Sequence, residues 1–124
     1  MTAAAQLSPI DETSHLLTEW SRWARQGNGL GHLLYPGTTP YQRLRGSTLP
    51  GAAISDPVAS EIDFCVSRLC DLDKEAGEVL VRHFLMGQSI HKIAREEKLD
   101  RRAVTVRLNA GVAWIAGRLD REEY

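Results

Sequence analysis

Between Ser89 and Leu108 the chain carries residue types and spacings suited to contact with a nucleic acid. Apolar positions recur as Ile90, Ile93 and Ala94, then Leu99 after a four-residue break, then Val104 and Leu108. Asp100 stands where a helix would start. This spacing has a mechanical cause: a small Ala94 lets two helices cross closely, while Ile93, Leu99 and Val104 fill the wedge between them. The pattern is that of a helix-turn-helix spanning about residues 89–119, whose second helix lies in the DNA major groove. With Val104 and Leu108 turned inward, the other side of the last helix presents Arg101, Arg102, Thr105, Val106 and Asn109. Arginine and asparagine read guanine and adenine edges, and Val106 suits a thymine methyl. Ser89, Lys92 and Arg95 suit phosphate contacts that fix register. Two residues depart from the usual pattern. Glu97 stands where an apolar residue is common, and Lys98 where the tight turn usually holds glycine, which predicts an awkward backbone there or a slightly different turn. The competing reading is a plain helical hairpin with solvated arginines.

Other chemistry-bearing residues form no comparable set. Cys65 and Cys70 lie five apart on one expected helix and so on largely different faces, and His15, His32, His83 and His91 do not pair with them. A zinc site needs four such ligands, so no metal and no cofactor is expected, and both cysteines read as small apolar residues in a reducing compartment. Asp71, Asp73 and Glu75 cluster around a helix start, where acids are ordinary. The glycines from Gly27 to Gly31 lack the Gly-Lys-Ser/Thr ending of a phosphate loop. With no legible nucleophile–base pair, the chain is not expected to be an enzyme.

The elements that must position these residues are all helical. Ile10, Leu17, Trp20 and Ala24 follow helical spacing from Pro9 to about Gln26, with Ser8 as cap and Gly27 as stop. Trp20 reads as core, and Trp23 as core or partner contact. From Gly27 to Gly51, glycines and prolines recur, yet Leu30, Leu33, Leu34, Tyr35, Tyr41 and Leu44 make the segment too apolar for a flexible linker. Thr39-Pro40-Tyr41-Gln42 has capping-box form and predicts one helical turn through Arg45. Beyond it, Asp56 is expected to cap a helix with Pro57 first and Val58, Ile62, Cys65, Val66 and Leu69 inward. Asp73 caps a second helix burying Ala76, Val79, Leu80 and Phe84 and ending at Gly87; Ser89 and Asp100 cap the last two. The expected fold is all-α: an N-terminal helix with a Gly/Pro-rich segment over residues 1–54, and a helical DNA-binding region over 55–124, as one compact unit.

Composition sets the outer limits. The 124 residues, 43% hydrophobic and 25% charged, suit one globular domain that needs no staple. The formal net charge of −1 argues against a uniformly basic coat for nucleic acid. By segment it divides: Met86–Leu119 carries +4, whereas Ser55–Leu80 carries −5. No apolar run reaches the roughly 20 residues of a bilayer span, and Met1–Leu7 has no basic leader, so a cytoplasmic protein is expected.

The chain resembles the short class of phage late-gene antitermination protein Q. The matching residues are Leu17-x-x-Trp20-x-x-Trp23, Gly27-x-Gly29-Leu30-Gly31, Tyr35-Pro36, Thr39-Pro40-Tyr41 and Arg43-Leu44. The remainder is similar to a sigma-factor region 4 helix-turn-helix and closes with Ala113-Trp114-Ile115-Ala116. The likeness covers about Leu16 to Leu119. It implies a factor of the host bacterial cytosol that binds a double-stranded DNA element near the late promoter and engages RNA polymerase paused there with its sigma factor. Such a factor then travels with polymerase, narrowing the RNA exit channel so that terminator hairpins do not form. Arg101, Arg102, Thr105 and Asn109 would serve the DNA stage. Trp23, Tyr35, Tyr41 and Arg43, or the acidic helices of Ser55–Leu80, would serve polymerase. The sequence leaves open whether one copy or two bind adjacent DNA sites. The alternatives are a helix-turn-helix activator or repressor acting only at initiation, and a protein-only polymerase-binding factor whose helix-turn-helix fold is a docking surface.

Overall fold

The computed structural model describes residues 9–34 and 54–122, and every regular element among them is helical. Helix α1 (Pro9–Arg25) starts on proline, carries Asp11 and Glu12 in its first turn and Arg22 and Arg25 in its last. That order complements the helix dipole. It buries Leu17, Trp20, Trp23 and Ala24. Gly27, at φ 92°, ends it by donating its N–H to the Ala24 carbonyl at 2.9 Å. A single turn, α2 (Gly31–Leu34), follows inside the segment whose glycines argue against helix. The expected turn over Thr39–Arg45 lies outside the described residues, as does Ser8.

Both tryptophans latch α1 to α3 (Asp56–Leu72). The Trp20 indole N–H donates to the Asp63 carboxylate at 3.1 Å, and the Trp23 indole N–H donates to Asp56 at 2.9 Å. Asp63 also accepts the Leu30 backbone N–H at 3.0 Å, which pins the glycine turn onto α3. A β-carbon on Gly29 would lie 2.4 Å from that carboxylate, and one on Gly31 would lie 1.7 Å from the Ala24 carbonyl oxygen. The Trp–Gly motif therefore has a packing cause: backbone and carboxylate approach too closely for any side chain.

These contacts correct the expected start of α3. Ser55, not Asp56, is the cap residue, and the Asp56 carboxylate is committed to Trp23. Of the expected stripe, Ile62, Cys65, Val66 and Leu69 are buried; Ala59 joins them, and Val58, expected inward, is exposed. Helix α4 (Lys74–Leu80) begins as expected, with Asp73 accepting the Ala76 N–H at 3.2 Å. It then widens into a π turn over Val81–Leu85. The extra residue moves the inward position from Phe84 to Leu85, which is fully buried while Phe84 is half-exposed. Arg25 of α1 donates to the Phe84 and Leu85 carbonyls, left open because the helix ends there, at 3.0 and 2.9 Å.

Two helices complete the fold: α5 (Ile90–Glu97) and α6 (Arg101–Glu122). At 1.5 Å per residue α6 is about 33 Å long, and it packs against α1, α3, α4 and α5. One cluster of buried side chains runs from Leu17 and Trp20 through Ile62, Leu69 and Leu80 to Ile93, Val104 and Ile115. Among the described residues no helix is long and apolar enough to cross a membrane.

Candidate nucleic-acid interface

Helices α5 and α6 are joined by the three residues 98–100, and the geometry of that join follows from four residues. Ser89 stands in extended backbone and its Oγ accepts the Lys92 N–H at 3.0 Å, starting α5. Lys98 adopts the left-handed conformation at φ 57°, ψ 44°, the awkward backbone that the sequence predicts. There the Leu99 N–H folds back to the Ala94 carbonyl at 2.9 Å. Asp100 accepts the Ala103 N–H at 2.7 Å and starts α6. Ile93, Ala94 and Val104 are buried in the crossing and Leu99 is half-buried beside them.

Packing that wedge inward fixes what faces out. Lys92, Arg95, Arg101, Arg102 and Asn109 are exposed, and Val106 keeps 61% of its surface open. Ser89 is exposed at the start of α5. Thr105 is half-buried, with its hydroxyl donating to the Arg101 carbonyl at 2.9 Å. At 100° per residue, Arg101, Arg102, Thr105, Val106 and Asn109 share one side of α6. All eight sequence-derived positions therefore lie on the α5–α6 unit, seven of them exposed.

Tertiary contacts sort the charges of this unit. Arg107 is paired with Glu75 of α4 at 2.6 Å, and the Arg118 guanidinium lies 5.5 Å from the Trp114 ring centre. The acids around the join of the two helices are occupied too. Asp100 caps α6, while Glu96 and Glu97 are both held by Arg82 of the π turn, Glu97 at 2.8 Å. Lys92, Arg95, Lys98, Arg101 and Arg102 form no ion pair among the described residues and remain exposed. The outcome is a cationic surface with its own carboxylates engaged elsewhere. Spacing on α5 and α6 gave no sign of Arg82; the pair Glu96-Glu97 beside a basic helix was the available signal that some cation must reach it.

The other sequence-derived contacts fare differently. Trp23 is only 8% exposed and its indole is bonded to Asp56, so its ring is core and offers a partner little surface. Tyr35, Tyr41 and Arg43 lie outside the described residues. The cysteines divide: Cys65 is buried and Cys70 half-buried, both as free thiols. Burial, then the nearby Asp71 and Glu78 carboxylates, push the Cys70 thiol up, which keeps it protonated and a poor nucleophile. The His83 ring Nδ1 lies 3.0 Å from the Gln88 carbonyl, and its edge meets Phe84. Among the described residues no three His, Cys, Asp or Glu side chains gather as a metal site would require.

Comparison with known proteins gives one positive finding. No curated protein and no solved structure matches the chain significantly. The family model for phage antitermination protein Q matches residues 11–123, which takes in α1, the tryptophan latch, the π turn and the cationic pair of helices. On that match the chain belongs to the phage antitermination protein Q family.

Proposed function

We propose that this protein is a phage late-gene antiterminator that loads through DNA, with α5–α6 acting as a helix-turn-helix. In this reading α6 enters the major groove of an element near the late promoter. Arg101, Arg102, Thr105, Val106 and Asn109 meet base edges there, and Ser89, Lys92 and Arg95 meet phosphates. The observation that carries the reading is the exposed cationic and polar side of α6, combined with engagement of the three carboxylates nearest it, Glu96, Glu97 and Asp100. Bound DNA holds the factor beside paused host RNA polymerase and its sigma factor, and transfer to polymerase then suppresses termination. The action is one of binding, with no catalysis and no cofactor, in the cytosol of the host.

For polymerase, the described surface best suited is the acidic one formed by α3 and α4. There Phe64 and Leu72 stay 58% and 62% exposed, one helical turn to either side of exposed Arg68, on helices of net negative charge. Large apolar side chains left in water on an acidic face suit a basic, apolar protein surface better than a nucleic acid.

The test is transcription in vitro from the cognate late promoter through a downstream terminator. Wild-type protein should raise readthrough, and an Arg101→Ala/Arg102→Ala variant should lose most of that gain. No gain with wild type sinks antitermination by this route and favours a regulator confined to initiation. Full gain with the double variant removes the DNA role assigned to α6.

A further inference from the structure

Arg82 belongs to the π turn, outside both helices of the proposed reader, yet its guanidinium ends on them. Its Nε donates to the Gln88 side chain at 2.7 Å, one terminal nitrogen to Glu97 at 2.8 Å, and the other to Glu96. The side chain is only 13% exposed, while the two glutamates keep 44% and 39% of theirs. The acceptor Gln88 is itself anchored, its backbone N–H donating to the Arg82 carbonyl at 2.9 Å. A fork of five donors in one plane can hold several acceptors at fixed angles, which a lysine in the same place would not do.

The location of the two acids gives this clamp a consequence. Glu96 lies one helical turn beyond Lys92, the spacing at which side chains on one helix face meet. Released from Arg82, Glu96 would be free to pair with Lys92, and both carboxylates would add negative charge beside a surface that must meet phosphates. We propose that Arg82 is a positioning residue for DNA binding: it draws Glu96 and Glu97 back toward the body of the protein and so leaves Lys92 and Arg95 available to the phosphate backbone. Arg82 reaches the two glutamates from the second position of the π turn. This proposal rests on the reading of α5–α6 as a DNA-binding unit.

The test is the affinity of the full chain for a short fluorescent duplex of mixed sequence, measured across a range of salt concentrations. Phosphate contacts are independent of sequence, so a generic duplex reports them. R82Q should bind about tenfold more weakly than wild type at low salt, and its slope of log K against log salt should be shallower by about one, as expected for one lost phosphate contact. R82Q/E96Q/E97Q should regain the wild-type affinity and slope, although it lacks the clamp. E96Q/E97Q, which keeps Arg82, should bind at least as tightly as wild type.

A triple variant as weak as R82Q would mean that Arg82 matters for helix placement alone, and would overturn the proposal. So would R82Q binding like wild type, or weakened binding by E96Q/E97Q. Wild-type protein without salt-dependent affinity for the duplex defeats the DNA reading and the Arg82 proposal together. Affinity lost in R101A/R102A but indifferent to R82Q defeats the Arg82 proposal alone.

Discussion

Lys98 holds a backbone conformation that costs a residue with a β-carbon about 1 kcal/mol relative to the mid-helix conformation. Glycine escapes that cost, and nothing about the position requires a side chain for the turn itself. Lys98→Gly should therefore raise the unfolding free energy by about 0.5–1 kcal/mol, read by urea denaturation; a loss of stability would contradict the turn geometry described. At this scale much was legible in the sequence. Ser89, Asp73 and Asp100 were each identifiable as caps, because a short polar side chain before an amphipathic run has few other uses. Asp56 was not, because its carboxylate answers to Trp23, a residue 33 positions earlier. Local pattern carries no record of such a partner.

Whole elements show the same division. The register of α6 was readable from its apolar spacing, and Val104, Leu108, Val112 and Ile115 are buried as that spacing requires. The π turn was not readable. It trades Phe84 for Leu85 inside the core, and the carbonyls open at its end are satisfied by Arg25 from the far end of α1. Where elements press together, glycine marks the contact. Gly31→Ala would drive a β-carbon into the Ala24 carbonyl and should cost at least about 2 kcal/mol of stability. Gly117 of α6, by contrast, has open space where a β-carbon would go, so Gly117→Ala should stabilise the protein by about 0.5–1 kcal/mol. Thermal melts of the two variants check both signs at once. Equal effects would mean that the α1–α2 approach is looser than described.

For the molecule as a whole, the net charge of −1 is a cancellation between two surfaces. The acidic helices α3 and α4 lie behind the basic pair α5–α6, and Glu75–Arg107 links α4 to α6 across that divide. Five exposed cations remain on the proposed reader, so on that reading duplex affinity should fall with salt with a log–log slope of at least about −3. Titration across salt concentrations measures it, and a flat response would count against phosphate contact by this face. The arrangement also bears on the division of labour within one small protein. Under the proposed function, a cationic face for nucleic acid and an acidic face for protein would act in turn without competing for the same residues.

The sequence by itself determined the helical class, the caps at Asp73, Ser89 and Asp100, the inward stripe of α6 and the cationic residues opposite it. Each of these depends on neighbours within two turns of helix, where spacing and geometry are one and the same. Its tryptophans and glycines were sufficient for the family likeness, though not for their purpose. Only the tertiary structure decided that Trp20 and Trp23 are latches on Asp63 and Asp56, that α3 begins a residue earlier, and that the π turn re-aims the core. It also decided which charges remain available, by bringing Arg82 to Glu96 and Glu97 and Glu75 to Arg107. Those pairings join residues 14 and more positions apart, and no periodicity encodes a contact that exists only once separate helices have packed.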